Sequence, residues 1–217
     1  MTCYLRLHEV AVAVHHDGGD ETDWAEVGRR WHHASGVDDR DDALDAMPVS
    51  LVEVDDLPTA PLDSYAGLIV SGRVDQRLLA GMAGRIKALV DSGGVVVFSG
   101  QLTHDWLPGT SLFERTGGDE SSGPPVLSEH PIFDGVAADD LGSAFLYRNG
   151  WHRPPVEAKV IARRGDGTPG AYVHRIPGHG TVLLHGGANL LANVTTTGSA
   201  ARIVPQLIEW VVAQAGR

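Results

Sequence analysis

Cysteine is almost absent from this chain. Cys3 is the only one in 217 residues. One cysteine cannot close an internal disulfide, which excludes a disulfide-stapled scaffold and fits a reducing compartment. Basic residues are also in short supply: 17 Lys and Arg face 28 Asp and Glu, for a formal net charge of -11. A surface of that sign repels phosphate backbones and anionic headgroups, so neither nucleic acid nor membrane is an expected partner. A small basic pocket is still compatible with it. No apolar run approaches membrane-spanning length. Residues 1–10 carry Arg6, His8 and Glu9 where a signal peptide needs an apolar stretch, so none is expected and the chain reads as cytoplasmic. Internal repeats and low-complexity tracts are missing as well.

What is present suffices for one core. With 42% apolar residues, a single domain over 1–217 is the expectation. The acidic run Asp38, Asp39, Asp41, Asp42 and Asp45 reads as a solvated loop. The clearest pattern lies in residues 67–101. GLIVSG at 67–72 reads as a buried strand entering a tight turn, 75–92 as a helix, and GVVVFSGQ at 94–101 as a second buried strand with its own turn. A strand, helix, strand unit of this length builds a parallel sheet. In the helix, Leu78, Leu79, Met82, Ile86, Leu89 and Val90 share one stripe, and Gly93 and Gly94 end it.

Further elements extend this unit. Residues 4–15 and 49–54 read as strands, and 23–34 as a helix with Trp24, Val27 and Trp31 on one face. Residues 102–131 read as an irregular surface excursion. Short strands follow at 144–147, 158–162, 171–174 and 181–185, too close together for intervening helices, which suggests antiparallel additions. Val204, Leu207, Ile208 and Val211 mark a closing helix with Pro205 in its first turn. The expected class is therefore α/β: a mostly parallel sheet with antiparallel additions in the C-terminal half.

Parallel sheets bind ligands at the carboxyl ends of their strands. The residues at those ends are His15, His16 and Asp17; Ser71, Gly72 and Arg73; Ser99, Gly100 and Gln101; and His185, Gly186 and Gly187. Gln101 and His104 lie where they can bind a ligand, and Trp106 to Gly109 either line the same pocket or pack in the core. Arg73 is suited to a carboxylate or phosphate. The pocket edge or a subunit contact is open to Trp151, His152 and Arg153. The histidines and carboxylates around His15, His16 and Asp17, with Asp20, Glu21, His32 and His33 nearby, are of metal-ligand type but fit no metal motif, so no metal is expected. GDGTPG at 165–170 formally matches G-x-G-x-x-G, but it opens no helix and reads as a hairpin turn.

The segments LIVSG (68–72), GVVVFSG (94–100), SEHPIFDG (128–135) and GTVLLHGG (180–187), in that order, resemble the class I glutamine amidotransferase-like superfamily, in its trehalose-utilisation-like and uncharacterised branches. The resemblance covers most of residues 45–215 and implies a flavodoxin-like three-layer sandwich. Enzymes of that superfamily use a cysteine at the strand-end elbow, a histidine after a late strand and a glutamate two residues beyond it. Here the elbow offers Ser99 and no cysteine, His185 matches the histidine, and Gly187 occupies the acid position. A nucleophile needs a base, and the base needs a group that orients it. Two of the three groups are missing, so glutamine hydrolysis is not expected. The reading is a glutaminase-dead, non-catalytic protein that binds a small ligand or a protein partner at the carboxyl edge, through Ser71, Gly72, Arg73, Gly100, Gln101, His104 and Gly186. The resemblance also places Gly72 where related enzymes stabilise an oxyanion. No cofactor is expected, and a homo-oligomer is compatible because such domains commonly associate. The enzymatic alternative is a hydrolase using Ser99 with His185 as base, or a metal-assisted one. The serine-elbow pattern G-x-S-x-G is not met, since Val97 and Gln101 stand where its glycines belong.

Overall fold

The structure is a computed structural model that describes residues 10–15, 49–53, 55–116, 123–195 and 198–215. Eight strands form one sheet in the order β2-β1-β3-β4-β10-β9-β8-β6. They are β1 (Val10–His15), β2 (Val49–Glu53), β3 (Tyr65–Ser71), β4 (Val95–Ser99), β6 (Val126–Leu127), β8 (Lys159–Arg163), β9 (Pro169–Arg175) and β10 (Thr181–His185). Strands β5 (Phe113–Arg115) and β7 (Gly150–His152) pair separately.

The α/β class and the antiparallel strands of the C-terminal half match the sequence expectation. The parallel portion is smaller than expected. Among the described residues, only β3, β4 and β10 run parallel to one another. The N-terminal edge is antiparallel too, because β1 runs against both β2 and β3. Residue alternation is the same read in either direction, so it could not reveal this. The central strands are continuous apolar runs because both faces are covered. Helices α1 (Gln76–Gly81) and α2 (Ala83–Asp91) lie on one face, where Leu79, Ile86 and Leu89 pack on Leu68, Val96 and Phe98. Helix α3 (Ile203–Gln214) lies on the other, with Leu207, Ile208 and Val211 against Ile69, Val97 and Leu183.

The expected helix over 75–92 is two helices, broken at Met82, whose φ of -101° and ψ of 2° leave the helical range. Gly81 and Gly84 flank the break, and glycine is a poor helix former. The Asp75 carboxylate accepts a hydrogen bond from the Arg77 amide and caps α1. Gly93, at φ 95°, ends α2 with the left-handed turn that favours glycine. Pro205 sits in the first turn of α3, where amides have no helical partner to lose.

Residues 144–147 are not a strand: the Phe145 amide turns back onto the Gly142 carbonyl at 2.8 Å. Residues 165–168 make the β8–β9 hairpin turn, with Arg164 N–H on Thr168 O at 2.9 Å. Among the described residues, no helix is long and apolar enough to cross a membrane.

Candidate functional site

The three parallel strands end level with one another. Ser71 pairs with Ser99, and Ser99 with His185, so their side chains form one row across the sheet. By strand alternation the row continues the face of Ile69, Val97 and Leu183, the α3 face. Above it opens a cleft of about 620 Å³, within the range of small-molecule sites.

Six of the proposed residues meet there: Ser71, Gly72, Arg73, Ser99, Gln101 and His104 all line the cleft. Ser71 and Ser99 are buried at its floor, and Arg73 is exposed at its rim. His185, Gly100 and Gly186 do not line it. Gly100 packs behind Gly72: a Cβ on Gly100 would stand 2.5 Å from the Gly72 Cα, and its φ of +153° itself favours glycine. Gly186 is buried, donating to Gly170 O at 2.7 Å and accepting from the Tyr147 amide at 2.8 Å, which fixes the 145–147 turn beside the cleft.

The reactive groups are already engaged or out of reach. Ser99 Oγ accepts a hydrogen bond from the Leu190 amide at 3.3 Å. The Gly72 amide, placed by the resemblance at an oxyanion position, donates to Ser99 O at 2.6 Å, and the Gly100 amide donates to His185 O at 2.9 Å. His185 is fully buried against the Phe145 ring, with centroids 4.8 Å apart. Neither ring nitrogen bonds a side chain; the polar groups nearest the ring are the backbone of Phe145 and Ala188. Burial lowers its pKa to about 3; the Phe145 backbone opposes the shift and nearby His152 adds to it. At neutral pH the ring is therefore uncharged. Ser99 and His185 are sheet neighbours that share no hydrogen bond, which leaves the serine without a base.

The Gly187 position is closed. A Cβ there would fall 1.6 Å from Phe145 O and 2.7 Å from His185 Cε1. No acidic side chain fits where a histidine-orienting carboxylate would belong.

His104 Nδ1 lies 3.0 Å from Thr103 Oγ1. Trp106 is in the core, edge-on to Phe98 at 5.3 Å, so its role is packing. His152 is also interior: its Nε2 accepts the Leu102 amide at 3.0 Å, and burial lowers its pKa to about 4. Trp151 and Arg153 lie at the β5–β7 pair, where Arg153 bridges to Glu114 at 3.3 Å. His15 ends β1. His16, Asp17, Asp20, Glu21, His32, His33, the acidic run at 38–45, the expected helix 23–34 and Cys3 lie outside the described residues. Among the described residues, no three His, Cys, Asp or Glu side chains gather to hold a metal ion.

Four further residues shape the cleft. Gln76 is buried at the start of α1; its Nε2 donates to Gln101 O at 2.8 Å, and its Oε1 accepts the Thr103 amide at 2.8 Å. It thereby holds the 101–103 turn onto α1. Tyr147 and Asn189 line the far side. Arg164, salt-bridged to Asp166 at 2.8 Å, donates to the Arg148 carbonyl at 3.1 Å and fixes the segment that carries Tyr147. These contacts join positions 16 to 27 residues apart, and no local sequence pattern announces them. A buried glutamine just inside a capped helix was the only available clue.

No protein-family model matches the chain, and neither a curated protein nor a solved structure is significantly similar to it.

Proposed function

We propose that the chain is a non-catalytic amidotransferase-like protein, with the flavodoxin-like sandwich its motifs suggest, that binds a small molecule in the cleft at the carboxyl ends of β3, β4 and β10. One observation carries the reading. The cleft is open and lined by polar side chains, while the histidine in the position of the family's base is fully buried beneath it against the Phe145 ring. The helices on both faces of the central strands are in keeping with such a sandwich. The lack of a cysteine at 99 and the closed space at Gly187 argue in the same direction.

The hydrolase alternative requires Ser99 to be activated. A serine-directed fluorophosphonate applied to the full chain tests this by intact mass. The expected result is unmodified protein, because no base reaches the Ser99 oxygen, which accepts the Leu190 amide instead. A stoichiometric adduct lost on Ser99→Ala would favour the hydrolase.

A further inference from the structure

The polar groups of the cleft are unevenly divided between donors and acceptors. Arg73 and Arg77 lie on one wall, before and within the first turn of α1. Neither guanidinium makes a salt bridge or a side-chain hydrogen bond among the described residues. The one carboxylate lining the cleft, Asp75, already accepts the Arg77 amide at 2.9 Å.

Across the cleft, Tyr147 is close enough to Arg73 to feel its charge. Burial, which outweighs that charge, raises the phenol pKa and keeps the group a proton donor. At the floor, the Ser99 oxygen accepts from the Leu190 amide, so its own O–H is left to donate. Two cations and two hydroxyl donors thus surround a space lined, among the described residues, by a single carboxylate, Asp75, whose Oδ1 caps the Arg77 amide.

We propose that the cleft holds its ligand by an oxyanion, a phosphate or a carboxylate, gripped between Arg73 and Arg77 and met by the hydroxyls of Tyr147 and Ser99. The proposal rests on the reading of the cleft as a ligand site and adds the chemical class of the ligand. Guanidinium groups present paired N–H donors that match both oxyanions. A concave site also concentrates their field, whereas the acidic surface around it repels anions. The ligand therefore needs an anionic end small enough to enter, and a polymer such as nucleic acid is excluded.

The test is amide-resolved NMR on the ¹⁵N-labelled full chain at constant ionic strength set with potassium chloride. Inorganic phosphate, succinate and glucose are titrated separately. Saturable shifts confined to residues 71–77, 99–104 and the neighbourhood of Tyr147 are expected with phosphate or succinate, and the probe that saturates at lower concentration identifies the group. Arg73→Gln combined with Arg77→Gln should weaken that binding about tenfold or more, as expected for charge-assisted hydrogen bonds. The unliganded spectrum should hold elsewhere, because both side chains are exposed. No saturable shift with either anion, or equal affinity in the double variant, overturns the proposal. Saturation by glucose alone at the same amides would overturn it too, while leaving the cleft a binding site.

Discussion

Folding stability is expected to fall steeply as the pH drops from about 6.5 toward 4. Two interior histidines cause this. Burial lowers His185 to about 3 and His152 to about 4, whereas an unfolded imidazole protonates near 6.5. Above that value both states carry neutral rings, and the histidines add no pH dependence. Below it the unfolded chain takes up protons that the folded chain cannot, so acid favours unfolding. Each group removes up to about 1.4 kcal/mol per pH unit until its folded pKa is reached. Together they remove roughly 3 kcal/mol per unit, against a total stability of about 5–15 kcal/mol for a domain. His130, also lowered to about 4 by burial, acts in the same window and direction. For Asp166, burial raises the carboxyl pKa but the bonds to Thr168 and Arg164 together lower it by more, so its contribution is lost as the pH falls through and below the ordinary carboxylate value of 3.8, at the acid end of this window. Urea denaturation followed by circular dichroism between pH 8 and pH 4.5 measures the slope. It should be near zero above pH 7 and steep below 6, and His185→Gln should remove about one proton's share. A stability that stays level down to pH 5 would mean that these rings are not sealed from water.

The second large effect is at Gly187. Placing an acid at this position is the obvious route to a catalytic triad, and it is expected to fail. A Cβ would lie 1.6 Å from a backbone oxygen, and neither the oxygen nor the chain carrying it is free to yield. The turn holding Phe145 is tied to this strand end by Ala188 N–H on Ala144 O at 2.8 Å and Tyr147 N–H on Gly186 O at 2.8 Å. Gly187→Ala should therefore cost about 3 kcal/mol or more, the upper range for overpacking, and Gly187→Glu should not yield a stable fold. Gly84→Ala is the matched control: nothing lies within 4 Å of its Cβ position in α2, so alanine should be neutral or stabilise by up to about 1 kcal/mol. Urea midpoints compare the three variants. A stably folded Gly187→Glu would show that the acid position is open.

Much of this architecture can be traced to local pattern. The Thr181–His185 strand, the two central strands and the closing helix announce themselves through apolar runs and stripes that match their burial. Turn chemistry placed the 165–168 hairpin. Six cleft residues follow from the rule that parallel sheets bind at their carboxyl ends. Other features depend on partners distant in sequence. Whether β1 runs parallel or antiparallel is decided by pairing. Spacing correctly put His185 at a strand end, but the same end can face a pocket or the core. The Phe145 ring determines which, and it belongs to a turn some forty residues earlier that had been read as a strand. The roles of Gln76, Tyr147 and Arg164 were hidden for the same reason.

Ammonia release from L-glutamine by the purified full-length chain tests the central claim most directly, because it asks whether Ser99 and His185 act together. The account predicts no release above the rate without protein, at neutral pH and saturating glutamine. Release that disappears on His185→Ala would contradict it, since a fully buried ring that does not line the cleft cannot reach a substrate there.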